Sequence, residues 1–341
     1  MDFDITQLAD RLAGRRILVL GDMVADIYID GRISRISREA PVLVLEQAGE
    51  RIVAGGAANV AHNAQTLGGS VYAVGLLGDD AAAQGLRDIL AGKGVHTEGL
   101  LTDGGRPTIS KTRIIAGGRA TVSQQIVRLD RESHAPMDRE TEGRLLRYLD
   151  AILPQMEGIV LSDYGSGTIT EAIKDKLIGY AREHGLPSIV DSRYDIRRFR
   201  DIGYVKQNDA ELAAAVGREL PDEAALVAAG RELLKELSAD GVLVTRGERG
   251  MMLFTADGAV TDIPVSDKSE VYDVSGAGDT CVATVILALA AGIAPADAAR
   301  LSNVASGIAV RKLGTATVSA AELVRTLAVQ RGQTAEQEET K

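Results

Sequence analysis

Short apolar runs alternate with stretches of helical spacing along most of the chain. RILVLGDM (16–23) is a continuous apolar run of the kind that forms a strand buried on both faces. GAANVAHNAQTLG (56–68) then repeats apolar positions at helical intervals and closes on a glycine. VYAVGLLG (71–78) and AAAQGLRDILAGKG (81–94) repeat the pair, strand then helix. GIVLSDYG, PSIVDSR, YVKQN and GVLVTRG are four more apolar runs, the third leading straight into the helical DAELAAAVG. This alternation predicts an α/β fold, a mostly parallel central sheet flanked on both faces by helices. From Gly276 to about Arg331 the pattern is helical almost throughout.

Two segments break the rhythm. Residues 27–53 and 108–130 alternate polar and apolar positions around turn glycines, which predicts antiparallel ribbons. Together they suit a small β-sheet lid beside the main sheet, closing over a substrate; two decorative hairpins are the plainer reading. No internal repeat and no linker divides the chain, so residues 1–330 are expected to form one domain. The polar tail RGQTAEQEETK (331–341) is expected to be disordered.

Composition narrows the function. A chain of 341 residues that is 45% hydrophobic can bury a large core. A formal charge of −10 argues against a nucleic-acid or anionic-membrane surface, which needs clustered Lys and Arg. The longest apolar stretch, roughly residues 281–291, is too short to span a bilayer, and the start has acidic residues where a signal peptide has an apolar core. One cysteine, Cys281, excludes an internal disulfide and fits the cytoplasm; set in an apolar helical run, it reads as a core residue. One cysteine and four histidines without paired spacing do not make a zinc site.

The chemistry concentrates in VYDVSGAGDTCVA (271–283). Gly276, Ala277 and Gly278 leave a helix start bare, so that its N–H groups can face an anion, and Asp279 lies in the first turn. A phosphoryl group in transfer suits such a site, and Asp279 suits a base for the attacking hydroxyl. Alone, the motif fits equally well a capping acid at an ordinary helix. No G-x-x-x-x-G-K-[ST] loop is present, nor a strand-linked G-x-G-x-x-G with a following acid, which disfavours P-loop and dehydrogenase readings.

Other clusters are individually ambiguous. Gly55, Gly56 and Asn59 suit either sugar contacts or a tightly packed helix start. Asp22 and Asp26, at the end of the first strand, suit hydroxyl recognition or turn capping. Asn208 and Glu211, three apart where a strand meets a helix, suit a capping box or the organisation of Mg²⁺ and its waters. Thr245 and Gly247 end a strand and suit a nucleotide pocket or a plain turn.

The order of these clusters is more specific than any one. G-D…D, G-G-A-A-N, N-D-A-E, T-R-G and G-A-G-D-T, in that sequence over about residues 12–330, resemble the ribokinase-like (PfkB) carbohydrate kinases. Within that family SRISREAPVLVLE (34–46), KTRIIAGGR with QQIVRLD, VLSDYGSG (160–167) and KLGTATVS (312–319) resemble the D-glycero-β-D-manno-heptose-7-phosphate kinases. The resemblance implies Asp279 as the base and Gly276, Ala277 and Gly278 as the anion hole. It implies that Asn208 and Glu211 hold Mg²⁺–ATP, that Thr245 and Gly247 border the nucleotide, and that Asn303 sits near adenine. It implies that Asp26, Gly55, Gly56 and Asn59 bind the sugar, and that Asp273, Ser275, Gly314 and Ser319 occupy a potassium site.

A phosphorylated sugar needs cations. Lys111 and Arg113 alternate on one lid strand, and Arg128 and Arg193 are expected to join them; a solvated strand face is the plainer reading. The chain departs from the heptose kinases at Asp191-Ser192-Arg193, where they read D-P-K, and at Lys206-Gln207-Asn208, where they read T-P-N. Bifunctional relatives carry a nucleotidyltransferase domain with an H-x-G-H-type motif that this chain lacks, so the kinase step alone is expected. The resemblance also implies a homodimer through the lid sheet. The competing expectations are a kinase of another sugar, such as ribose or fructose, and a non-catalytic binding regulator.

Overall fold

The computed structural model describes residues 4–117, 123–266, 271–312 and 314–339, with 332–339 as backbone alone. After α1 (Leu8–Leu12) come β1 (Arg16–Gly21), β2 (Met23–Ile36), β3 (Leu43–Gly56), α2 (Ala57–Thr66), β4 (Ser70–Leu77), α3 (Ala81–Gly92) and β5 (His96–Thr102). A second hairpin, β6 (Ile109–Gly117) and β7 (Gln124–Arg131), precedes α4 (Arg139–Ile152), β8 (Gly158–Asp163), α5 (Glu171–His184) and β9 (Ser188–Ser192). Then follow β10 (Tyr204–Asn208), α6 (Asp209–Val216), α7 (Glu223–Leu237), β11 (Gly241–Thr245), β12 (Met251–Thr255) and β13 (Val260–Ile263). Three helices close the chain: α8 (Ala277–Ala290), α9 (Pro295–Ala309) and α10 (Ala320–Glu339).

The main sheet has nine strands in the order β13-β12-β11-β10-β9-β8-β1-β4-β5, parallel from β11 to β5, with β12 and β13 antiparallel at one edge. The alternation of side chains along its strands divides the core in two. Ile17 and Val19 of β1 enter a cluster built with α2, α3, α8 and α9, while Leu18 and Leu20 enter one built with α4, α5 and α7. Every residue of β8 is buried, as a strand covered by helices on both faces requires. Each fully buried Leu or Ile contributes about 1.5–3 kcal/mol.

Helix α8 is apolar on nearly every side, with Asp279 to Ala288 all buried, so it lies inside the molecule rather than on it. Its first turn stands against the C-terminal ends of β9 and β10, where a Cβ at Gly278 would lie 2.9 Å from Lys206 Nζ. The carboxyl ends of parallel strands are where such sheets bind ligands.

The lid is a four-stranded sheet, β3-β2-β6-β7. Its two hairpins are antiparallel, as the alternation predicts, but β2 and β6 join them in parallel. The register places Asp26, Tyr28, Lys111, Arg113 and Arg128 on one face and Ile29, Ile114, Val127 and Leu129 on the other. Residues 118–122 of the expected second ribbon lie outside the described residues. The backbone of α10 continues to Glu339, through a stretch whose Glu and Gln are good helix formers. Among the described residues no helix is long and apolar enough to cross a membrane.

Candidate active site

Gly276 is the N-cap of α8 and adopts φ +79°, a left-handed conformation natural to glycine; no side chain caps this helix. A Cβ here would also meet Asn59 Nδ2 at 2.6 Å, so the glycine admits the Asn59 amide to the helix start. Gly278 likewise leaves room for Lys206. Ala277 donates its N–H to the Val274 carbonyl at 3.3 Å, so it belongs partly to the turn that enters the helix.

Asp279 is buried, and both its oxygens accept hydrogen bonds: Oδ2 from Asn59 Nδ2 at 2.7 Å and Oδ1 from the Tyr164 hydroxyl at 3.2 Å. Burial pushes its carboxyl up to about 6, against the pull of the Asn59 hydrogen bond, with Asp191 adding to the rise and Lys206 and Arg193 opposing it. Asn59, expected at the sugar or in a tightly packed helix start, thus touches Asp279. Cys281 is a buried core residue, its thiol pushed by burial to about 11.

Tyr164, on the loop after β8, gathers the basic groups. Lys111 Nζ lies 5.5 Å from its ring centroid and the Arg193 guanidinium 4.4 Å from it. Burial, and next the charge of Asp279, raise the Tyr164 hydroxyl well above its ordinary range, so it stays a protonated donor. The other two expected cations have partners elsewhere. Arg113 Nη1 donates to Asp26 Oδ1 at 2.5 Å, and Arg128 donates to Asp130 at 2.8 Å on an exposed strand. The pairing of Asp26 with Arg113 occupies the carboxylate that was expected at the sugar, and its other oxygen fills the space above Gly55.

Asp22, expected either at the substrate or as a turn cap, is fully buried and holds the loop after β8, accepting from the backbone N–H of Tyr164 (2.8 Å), Ser166 (3.1 Å) and Thr168 (3.4 Å). It therefore shapes the Tyr164 loop. The space at Gly56 is similarly taken by the Asp22 carbonyl and Val24 of this chain.

At the ends of β9 and β10, Lys206 Nζ donates to Asp191 Oδ2 at 3.1 Å and lies 4.0 Å from Glu211. Burial works against the lysine's charge, but the carboxylates of Asp191 and Glu211 hold it protonated. Asn208 and Glu211 form a capping box on α6, each side chain on the other's backbone N–H at 2.7 Å. The local reading of that spacing is therefore the one built here. Asp191 Oδ1 is buried with no hydrogen-bond partner. Among the described residues no three His, Cys, Asp or Glu gather into a metal cage. An unpartnered carboxylate oxygen near Glu211 does fit Mg²⁺, an ion that keeps most of its waters and takes few protein ligands.

Beside the start of α8 opens a cavity of about 610 Å³, lined by Thr245, Gly247, Met251, Val274, Gly278 and Asn303 among others. Its size and apolar walls suit a nucleotide. Asn303 lines it, but its Nδ2 donates to the Pro264 carbonyl at 2.6 Å. Near the same helix start, Asp273 accepts from the backbone N–H of Ser275 (2.9 Å) and Gly314 (3.0 Å), which brings three of the four expected potassium-site residues together. The fourth, Ser319, instead caps α10, exchanging hydrogen bonds with Glu322.

Sequence patterns did not assign Tyr164, Asp191 or Lys206 to the site. Tyr164 and Asp191 stand at or just past the C-terminal ends of adjacent parallel strands, with Lys206 two residues before the end of the next, and that position was the available signal.

Comparison with known proteins bears on the fold and the family. Relatives named "Bifunctional protein HldE" include that of Geobacter sulfurreducens, 40% identical over 317 residues, and that of Geobacter metallireducens, 42% identical over 314. The matches cover 93% and 92% of this chain but 64% and 63% of the relatives' own length. Among solved structures, Arabidopsis thaliana ribokinase complexed with ribose and ATP superposes with TM-score 0.71 at 21% identity, over 92% of this chain and 99% of that one. Escherichia coli phosphofructokinase-2 in complex with potassium gives TM-score 0.71 at 21% identity, over 94% and 99%. The family described as "pfkB family carbohydrate kinase" matches residues 15–322. With a match across nearly all of its sheet and helices, the chain belongs to the pfkB family of carbohydrate kinases.

Proposed function

We propose that this sugar kinase transfers the γ-phosphoryl group of ATP to the anomeric hydroxyl of D-glycero-D-manno-heptose 7-phosphate, giving the 1,7-bisphosphate. That step supplies ADP-heptose and so lipopolysaccharide-core precursors in the cytoplasm. The observation that carries the reading is the arrangement around Tyr164. Lys111 and Arg193 lie against its ring and its hydroxyl rests on Asp279, so one aromatic side chain joins a phosphate-binding pair to a base. The stretches resembling the heptose-7-phosphate kinases support the choice of sugar.

In this reading Asp279 takes the proton of the sugar hydroxyl, and the backbone of Gly276, Ala277 and Gly278 stabilises charge on the moving phosphoryl group. Lys206, beside Gly278, adds a fixed positive charge. Asp191 and Glu211 are the groups that would hold Mg²⁺ through its waters, and the ion, when bound, neutralises phosphate charge. Asp273, Ser275 and Gly314 would border a potassium ion. Arg113 and Asp26 stiffen the lid over the sugar, and the lid excludes water. The exposed outer lid residues Ile36, Val42, Leu43, Val127 and Leu129 support a homodimer formed through the lid sheets.

A substrate panel scored by ADP release tests the assignment. The expected result is a kcat/KM for heptose 7-phosphate well above that for fructose 6-phosphate, fructose or ribose. Preference for an unphosphorylated sugar would sink the heptose reading, and no turnover with any sugar phosphate would favour a binding regulator.

A further inference from the structure

The hydrogen bond on Asp279 Oδ2 is the end of a chain of buried amides. Asn59 and Asn63 are one turn apart on α2 and face α8; both are fully buried, as is Thr280. Asn63 Nδ2 donates to the Asn59 backbone carbonyl at 3.0 Å and to Asn59 Oδ1 at 3.1 Å, while Asn63 Oδ1 accepts from the Thr280 hydroxyl at 3.0 Å.

The polarity of this chain follows from the chemistry of its members. A backbone carbonyl only accepts, so the Asn63 atom facing the Asn59 carbonyl must be nitrogen. That nitrogen meets the Asn59 side chain, so the atom it meets must be Oδ1, which leaves Nδ2 pointing at Asp279. Turning the Asn59 amide over would set nitrogen against nitrogen and oxygen against a carboxylate, losing both bonds inside a dry interface. The amide therefore presents a donor to Oδ2 whether or not Asp279 carries a proton. Tyr164, on Oδ1, is different: a hydroxyl can turn and accept.

We propose that Asn63 is a positioning residue for phosphoryl transfer: with Thr280 it locks the Asn59 amide so that Oδ2 of Asp279 is always capped and the substrate proton arrives on Oδ1. The inference rests on Asp279 being the base. As the sugar oxygen bonds to phosphorus, its O–H bond breaks, the bond from phosphorus to the ADP oxygen breaks, and the proton settles on Oδ1, where the Tyr164 hydroxyl reverses to accept it. The other charged groups around Asp279 are Asp191 on β9, Arg193 just after it and Lys206 on β10, and none of them touches the relay.

The test is to titrate Asp279 by ¹³C NMR on Asp-labelled protein, with Asp279→Asn to identify its signal, beside the pH profile of kcat/KM. Asn63→Leu should move the Asp279 midpoint and the acid limb upward together by about one pH unit. Thr280→Val, which keeps the volume, should move both in the same direction by less. In an Asn59→Ala background, Asn63→Leu should add no further shift, because its path to Asp279 is already cut. An unmoved midpoint in folded Thr280→Val and Asn63→Leu, or a full additional shift in the Asn59→Ala background, overturns the relay while Asp279→Asn stays inactive. Near-normal turnover in Asp279→Asn would instead remove the base reading, and the proposal with it. If Asn63→Leu does not fold, Thr280→Val decides alone.

Discussion

The Asn59 side-chain amide reaches Asp279 Oδ2 at 2.7 Å, joining residues 220 positions apart and pinning α2 to the first turn of α8. The hydrogen bond keeps an acid in use that burial alone would neutralise. The Asp279 carboxyl still sits at about 6, above its ordinary 3.8, so it is ionised near neutral pH with little to spare. The acid limb of kcat/KM is therefore expected near pH 6, falling about tenfold per unit below it.

Asp279→Asn should lower kcat about 10²-fold or more with ATP binding little changed. Its stability should move the other way. The folded state holds the Asp279 proton more tightly than the unfolded chain, so this group favours folding below pH 4 and loses that contribution as the pH rises through 6. The variant is expected to melt a few degrees above wild type at pH 8 and level with it near pH 4. Thermal melts at both values check this; a lower Tm at pH 8 contradicts it.

Tyr164→Phe keeps the ring under Lys111 and Arg193 but removes the donor on Asp279 Oδ1. A kcat loss of about tenfold is expected, with the sugar KM within about threefold, because the lost contact serves the base. Tyr164→Leu should raise the sugar-phosphate KM as well. Equal effects of Phe and Leu would mean that the hydroxyl plays no part.

The strands and the lid were legible in the sequence because the apolar run of RILVLG and the alternation along KTRII are local signals, and local signals name elements. The glycines before Asp279 were legible for the same reason. Tyr164 was not: its partner Asp279 is 115 residues away, and its place just past a strand end was the one local hint. Local competition also misled. Asp22 sits where a ligand carboxylate belongs, yet three backbone N–H groups of a distant loop take it first. Arg113 and Arg128 share a lid face as predicted, but each found a carboxylate on its own sheet.

Those pairings separate the cations by function. Arg193→Ala and Lys111→Ala should each raise the KM for a phosphorylated sugar about 10- to 100-fold while leaving the ATP KM unchanged. Arg113→Ala should behave differently, because it strands the buried Asp26 carboxylate and so lowers Tm as well as activity. Steady-state kinetics with melts on the three variants distinguish the roles. A sugar KM unmoved by both Arg193→Ala and Lys111→Ala would place the phosphate elsewhere.

The outer lid face offers a separate test. Leu129 is 57% exposed and Ile36 66%, beside Val42, Leu43 and Val127. Leu129→Lys should convert a dimer to monomer in sedimentation at micromolar concentration, with the fold unchanged since Leu129 supports no core. An unaltered mass would move the interface off this face.

The last expectation concerns Gly278, whose added Cβ would lie 2.9 Å from Lys206 Nζ and 3.8 Å from Asp191 Oδ2. The contact is with the tip of a long side chain, and the glycine's backbone is helical, so Gly278→Ala should fold with Tm within a few degrees of wild type. Displacing the ammonium group from the start of α8 should nevertheless cost about 10²-fold in kcat and weaken ATP binding, since the charge works only where the phosphoryl group passes. Lys206→Met provides the contrast. It removes the same charge but leaves Asp191 with neither oxygen paired, a loss of about 3–5 kcal/mol for a buried carboxylate. A comparable fall in kcat with a large Tm loss only in Lys206→Met would separate the lysine's part in transfer from its part in folding, whereas a wild-type kcat in Gly278→Ala would show that Lys206 serves the fold alone.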